Sequence, residues 1–154
     1  MESIIEQSCG IENPNDYICR GINMKSKEFK TLLIEDDAYK AADIRKALEY
    51  CGIKDIERAW NQAAGFDIIY KNIEQGTPVE LIVTDMSYPL EAHEPDDKEA
   101  GFKLIERMKK EELDIPVIIC SAQNYNEPGI LGSICYNDLQ DINQEFKAVI
   151  DKMQ

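Results

Sequence analysis

Acidic and hydroxyl side chains follow three apolar segments of the sequence, and their types suit the binding of a divalent cation. "TLLI" precedes Glu35, Asp36 and Asp37, "LIVT" precedes Asp85, and "VIIC" precedes Ser121. Neighbouring carboxylates repel and raise one another's pKa values, so such a group needs a compensating cation. Mg²⁺ takes one or two carboxylates together with water and phosphate. We therefore expect a Mg²⁺ site, with one alternative open: acids at strand ends are helix N-caps and solvated loop residues.

Hydrophobic periodicity predicts the strands and helices that would position these residues. The predicted strands contain "TLLI", "IERAW", "VELIVTD", "IPVIICSA" and "SICY", and the predicted helices contain "AYKAADIRKALEYCG", "NQAAGFDIIYKNIEQG", "AGFKLIERMKKEE" and "DINQEFKAVIDKM". Apolar strands joined by helical crossovers indicate a doubly wound, five-stranded parallel sheet covered on both faces, an α/β fold. Ligands of such sheets bind beyond the carboxyl ends of the strands, where the acids lie.

Length and charge limit the classes of protein that fit. The chain has 154 residues, which is enough for one domain, and we place that domain at residues 29–154 after an N-terminal extension at 1–28. A formal net charge of −13 without a Lys/Arg cluster argues against direct binding of nucleic acid. No apolar run approaches the roughly 20 residues of a membrane-spanning helix, so no membrane partner is expected.

Cysteine usage indicates a reducing compartment. The sequence has five cysteines, an odd number, with no C-x-x-C pair. The first residues also lack the basic and long apolar segments of a secretory signal. We therefore expect a cytoplasmic protein with reduced thiols.

The order of the motifs resembles that of the receiver domains of two-component response regulators. An acidic pair follows the first strand, D-x-x-x-P from Asp85 to Pro89 follows the third, and Ser-Ala at Ser121 follows the fourth. The resemblance covers about residues 30–154 and implies a flavodoxin-like, chemotaxis-regulator-like receiver fold. Between Ser121 and Ser133 the sequence "QNYNEPGILG" is too short and too rich in Asn, Pro and Gly for a full helix, so the fourth helix should be shortened or irregular.

The resemblance also assigns roles to individual residues. It implies that Asp85 is the phosphoacceptor, phosphorylated in a Mg²⁺-dependent reaction by a histidine kinase or a phosphotransfer protein. No other catalytic residue is implied. It assigns the metal to Glu35, Asp36, Asp85 and the backbone carbonyl of Ser87, and the conformational switch to Ser121 and Tyr136.

One departure from the family pattern favours a second function. Receiver domains place a lysine just after the fifth strand, but Leu139 and its neighbours stand there, and no lysine occurs between Lys110 and Lys147. Loss of that cation removes a charge-assisted contact of about 1.5–3 kcal/mol to the phosphoryl group. A pseudo-receiver that binds proteins without phosphorylation is therefore the alternative.

A third candidate is a Mg²⁺-dependent phosphohydrolase or nuclease. Those enzymes need D-x-D after the first or the third strand, and neither Glu35-Asp36-Asp37 nor "DMSYP" provides it. We therefore expect no enzyme beyond self-phosphorylation and autodephosphorylation. Only one closing helix fits after the fifth strand, so we expect action by contact with an unidentified downstream protein, and a homodimer stays open.

Overall fold

A computed structural model describes residues 29–137, 139 and 141–153 of the chain. The proposed extension at 1–28 lies outside the described residues, so the domain boundary stays a prediction. Within the described part, no helix combines the length and the apolar character needed to cross a membrane.

The predicted five-stranded parallel sheet is confirmed. The strands are β1 (Thr31–Ile34), β2 (Ile56–Ala59), β3 (Leu81–Thr84), β4 (Tyr88–Pro89), β5 (Asp96–Asp97), β6 (Val117–Ser121) and β7 (Gly132–Cys135). Five of them form one sheet in the order β2-β1-β3-β6-β7, and every pair in it is parallel. This is the flavodoxin-like order, in which β1 and β3 lie side by side at the point where the strand order reverses.

In the described part of the chain, four helices cover the sheet, two on each face. They are α1 (Ala38–Tyr50), α2 (Gln62–Glu74), α3 (Ala100–Lys110) and α4 (Ile142–Ile150), and a 3₁₀ turn follows at Asp151–Met153. Phe66 of α2 and Leu104 of α3 belong to the core on one face, and Leu48 of α1 and Phe146 of α4 belong to the core on the other. Each large side chain buried this way contributes about 1.5–3 kcal/mol.

Side-chain caps explain where three of the helices begin. The carboxylate of Asp37 accepts the N–H groups of Tyr39 and Lys40 at the start of α1. The side chain of Asn61 accepts from the Ala64 N–H in α2, and Asp141 caps α4. Such caps satisfy N–H groups that lack a partner within the helix.

Two segments differ in detail from the prediction. Residues 122–131, all of them described, form bends and a turn and contain no helix. Between β3 and α3, β4 and β5 pair as a small antiparallel hairpin that the sequence pattern did not indicate. Pro89 therefore lies within this hairpin. In α3 the side chains of Ala100, Leu104 and Met108 are buried, whereas Phe102 and Ile105 are only partly buried.

Candidate functional site

Three acidic side chains converge at the carboxyl edge of the sheet. Glu35 and Asp36 follow β1 and Asp85 follows β3, and one carboxylate oxygen from each lies within 4.8 Å of the other two. The convergence follows from the register, because Ile34 pairs with Thr84 and the Asp85 N–H donates to the Ile34 carbonyl at 3.2 Å. Parallel neighbours end at the same edge, so the residues after them meet there.

Glu35 is a buried carboxylate with an incompletely satisfied oxygen. Its side chain is 1% exposed, and its Oε2 accepts the Asp37 N–H at 3.1 Å. Oε1 lies 3.2 Å from the Lys40 Nζ, but this ion pair lacks hydrogen-bond geometry and Oε1 has no hydrogen-bond partner. Burial raises the pKa of Glu35 to about 7; Lys40 opposes the shift and Asp85 adds to it.

Asp36 lies at the more open side of the cluster, next to the β4–β5 hairpin. It is half-buried. Burial raises its pKa, and the nearby carboxylate of Asp96 in β5 adds to the shift. The hairpin therefore brings a fourth acidic group, which the sequence reasoning missed, towards the cluster.

Asp85 is held from two directions. Its Oδ1 accepts the Met86 N–H at 2.6 Å, and its Oδ2 lies 3.1 Å from the Lys40 Nζ, with 16% of the side chain exposed. Gly101, at the start of α3, packs against the Asp85 backbone: a Cβ there would lie 3.0 Å from the Asp85 carbonyl oxygen. The carboxylate is therefore fixed in position and still reachable from solvent.

Lys40 is a second residue at the acidic cluster that the sequence reasoning missed. It lies in the first turn of α1, its side chain is 10% exposed, and it forms ion pairs with both Glu35 and Asp85. Burial lowers the pKa of a lysine, but these two carboxylates outweigh that effect and raise the pKa of Lys40 above its ordinary value. The sequence indicates its burial through helical spacing, because Lys40 falls on the same face of α1 as the buried Ile44 and Leu48.

The two predicted switch residues lie at the ends of the neighbouring strands. Ser121 ends β6 and is buried, and Tyr136 directly follows β7 and is half-buried. The Tyr136 N–H donates to the Ser121 carbonyl at 2.7 Å, and its hydroxyl donates to Asp43 of α1 at 2.5 Å. The Lys40 Nζ lies 5.4 Å from the centre of the Tyr136 ring. Their switching role stays a prediction.

A buried polar cluster supports the loop that carries Asp85 and the predicted ligand Ser87. The Thr84 hydroxyl donates to the Asp85 carbonyl at 2.8 Å and lies 3.0 Å from the hydroxyl of the fully buried Tyr88. The Gln62 amide donates to the Ala100 carbonyl at 2.9 Å and reaches the same tyrosine hydroxyl at 3.4 Å. This cluster joins β3, the hairpin, α2 and α3 directly behind the site.

The donor set fits a hard divalent cation. Three carboxylates converge, one of their buried oxygens lacks a hydrogen-bond partner, and Lys40 supplies only one positive charge against them. Oxygen donors with excess negative charge are what Mg²⁺ selects. Glu35, Asp36 and Asp85 are thus the side chains suited to hold the ion.

Comparison by sequence finds no match. No family model matches the chain, and no curated protein matches it. The motif resemblance therefore has to be checked against the three-dimensional structure.

Comparison by structure finds receiver domains of response regulators. The chain is similar to the response regulator PhyR from Brucella abortus (TM-score 0.60, 18% identity, 83% of this chain and 48% of that one). It is similar to the receiver domain of the Francisella response regulator 1452 (TM-score 0.60, 21% identity, 82% and 100%). A chain of the CheX–CheY–BeF₃–Mg²⁺ complex from Borrelia burgdorferi also matches (TM-score 0.61, 14% identity, 82% and 90%).

These matches establish the fold. The chain has the fold of response regulator receiver domains, as predicted from its motifs, and spans about half the length of the Brucella regulator. At such low sequence identity the likeness carries no activity from one protein to another. The chemistry has to be argued from the residues at the carboxyl edge.

Proposed function

We propose that this chain acts as a receiver that is phosphorylated on Asp85 in a Mg²⁺-dependent reaction and signals through contact with another protein. The observation that carries the proposal is the placement of Asp85: a partly exposed carboxylate at a strand end, in ion-pair contact with a lysine and beside two further carboxylates. The structural neighbours, one of which comes from a complex that contains BeF₃ and Mg²⁺, give independent support.

The proposed step is attack by one carboxylate oxygen of Asp85 on phosphorus. A new O–P bond forms as the bond between phosphorus and the donor breaks, and the donor leaves with the electron pair. The donor is a phosphohistidine of a kinase or phosphotransfer protein, or a small acyl phosphate. Bound Mg²⁺ would neutralise charge on the phosphoryl group as an anionic nucleophile approaches it. Glu35 and Asp36, with the carbonyl of Ser87, are the proposed ligands beside Asp85.

Phosphorylation would change the charge at the edge of the sheet. A phosphoryl group replaces one negative charge by about two and brings three acceptor oxygens. Ser121 is buried at the end of β6 and Tyr136 follows β7, so both are proposed to respond to that change. We propose that the altered surface is recognised by a downstream protein in the cytoplasm.

The test combines ligand binding with covalent labelling. Beryllofluoride mimics the aspartyl phosphate, and a ligand at about 100 times its Kd stabilises the folded state by about 2.7 kcal/mol. We expect a Mg²⁺-dependent rise in the melting temperature of the wild type. We also expect a single phosphoryl adduct by intact mass after incubation with acetyl phosphate. Asp85→Asn should abolish both effects.

Asp114→Asn is the matched control. Asp114 is an exposed aspartate before β6, at the opposite edge of the sheet, so its loss changes net charge equally and should leave both effects intact. Absence of both the shift and the adduct in the wild type would contradict the proposal. It would support the pseudo-receiver, for which the missing lysine after β7 is the specific argument.

A further inference from the structure

We propose that Lys40 is the cation that binds the phosphoryl group on Asp85, in place of a lysine after β7. The proposal rests on the proposed function of Asp85 as phosphoacceptor. It concerns this chain's own departure from the receiver pattern, since the sequence offers no lysine between Lys110 and Lys147. The ammonium comes from α1, the helix that follows β1.

The position of the ammonium supports this assignment. The Lys40 Nζ lies 3.1 Å from Asp85 Oδ2 and 3.2 Å from Glu35 Oε1, and the side chain is largely buried. Among the described residues, it is the cationic side chain in ion-pair contact with Asp85. An ammonium carries three donors, so Lys40 can reach an added phosphoryl oxygen and still contact Glu35.

The helix start holds Lys40 in place before any ligand binds. The Asp37 side chain accepts the Tyr39 N–H at 2.9 Å and the Lys40 N–H at 3.2 Å, which fixes the first turn of α1. The Tyr136 ring lies on another side of the ammonium, at 5.4 Å. A group that is already positioned loses little conformational entropy when a ligand arrives, which favours binding.

The charges favour a second cation, besides Mg²⁺, at this position. When Asp85 takes a phosphoryl group from an acyl phosphate, an O–P bond forms and the donor carboxylate leaves with the electron pair. The single charge on Asp85 is thereby replaced by about two on the phosphoryl oxygens. The contact of Lys40 with Asp85 can pass from the carboxylate oxygen to a phosphoryl oxygen attached to it, without movement of a strand or helix.

A purely structural role for Lys40 can be distinguished by how its loss affects the binding of the two ligands, Mg²⁺ and the phosphoryl mimic. If the lysine only neutralised the buried Glu35, its loss would disturb the metal site and the phosphoryl site together. If it binds the phosphoryl group, its loss should affect the two ligands in opposite directions. Removal of a positive charge about 3 Å from two metal ligands strengthens binding of Mg²⁺, whereas loss of a charge-assisted bond weakens binding of an anion.

The experiment measures the Kd for Mg²⁺ alone and the Kd for beryllofluoride at saturating Mg²⁺, on the wild type and Lys40→Met. We expect Mg²⁺ to bind several-fold more tightly to the variant and beryllofluoride to bind roughly 10- to 150-fold more weakly. Lys40→Arg keeps the charge, so its affinity for beryllofluoride should fall much less. Lys46→Met, an exposed lysine on the same helix, is the matched control and should leave both constants unchanged.

The outcomes separate this proposal from the proposed function. If the wild type binds beryllofluoride and Lys40→Met binds it equally well, or loses both ligands together, the role of Lys40 is overturned while Asp85 remains the acceptor. If the wild type binds no beryllofluoride, both proposals fail. Should Lys40→Met not fold, Lys40→Gln keeps a donor for Glu35 without the charge and must show the same opposite shifts.

Discussion

The two halves of the carboxyl edge are built differently. The acceptor half, made of Glu35, Asp36, Lys40 and Asp85, is tied together by two ion pairs and backed by fully buried strands. The switch half, made of Ser121, Tyr136 and residues 122–131, has an irregular loop where receiver domains carry a helix. Under the proposed function, the phosphoryl chemistry would lie in the acceptor half, and the switch half would present a surface without that helix.

The largest expected effect lies behind the acceptor half. Tyr88 is fully buried and contacts both Thr84 and Gln62, so Tyr88→Ala should lower the free energy of unfolding by about 3–5 kcal/mol. Tyr125 of the switch half is only partly buried against Phe102, and Tyr125→Ala should cost about 1 kcal/mol. Urea denaturation measures both. Equal losses of unfolding free energy in the two variants would contradict the proposed difference between the halves.

A smaller effect should appear in the pH dependence of stability. Burial raises the pKa of Glu35 to about 7, above the 4.5 of an unperturbed glutamate, so the folded state binds the proton more tightly than the unfolded chain does. The contribution of Glu35 is therefore complete below about pH 4.5 and is lost as pH rises through 7, by roughly 1–3 kcal/mol.

The measurement compares the wild type with Glu35→Gln between pH 5 and 8, without divalent cations. We expect the wild type to lose stability relative to the variant over this interval. Mg²⁺ favours the ionised carboxylates and should reduce the loss. A difference that stays constant with pH would show that Glu35 is not the buried acid that distinguishes the acceptor half.

The smallest expected effect concerns the hydrogen bond between the switch half and α1, the helix that carries Lys40. The Tyr136 hydroxyl donates to Asp43 in a solvent-exposed hydrogen bond, so Tyr136→Phe should cost about 1 kcal/mol or less. The ring that faces Lys40 is retained, and the Kd for Mg²⁺ should stay unchanged. A large change in Mg²⁺ affinity, measured by titration, would mean that the switch half takes part in metal binding.

The sequence predicts those residues of the site whose positions follow from the order of the strands. Glu35, Asp36 and Asp85 follow apolar strands that are neighbours in a parallel sheet, so their convergence follows from the fold. Lys40 was missed because a lysine in a helix normally extends into solvent. Its burial depends on ion pairs with residues from two strands, which no local pattern contains.

In the fold, too, local features were predicted and features that depend on tertiary contacts were missed. Long periodic segments such as α1 and α2 were predicted, because their apolar residues recur at helical spacing. The β4–β5 hairpin was missed, since two-residue strands show no alternation and Asp96-Asp97 has a composition typical of loops. Its formation depends on the burial of Tyr88, a tertiary contact.

The ion pair between Lys40 and Asp85 has a consequence for the order in which the protein forms. With the cation on α1, all the charged groups of the acceptor half lie between residues 35 and 85. Short separations along the chain lower the entropy cost of loop closure, and amino-terminal segments leave the ribosome first. The charged centre can therefore assemble from β1, α1 and β3 before β7 has been synthesised. A centre that needed a lysine after β7 could assemble only once β7 had been synthesised.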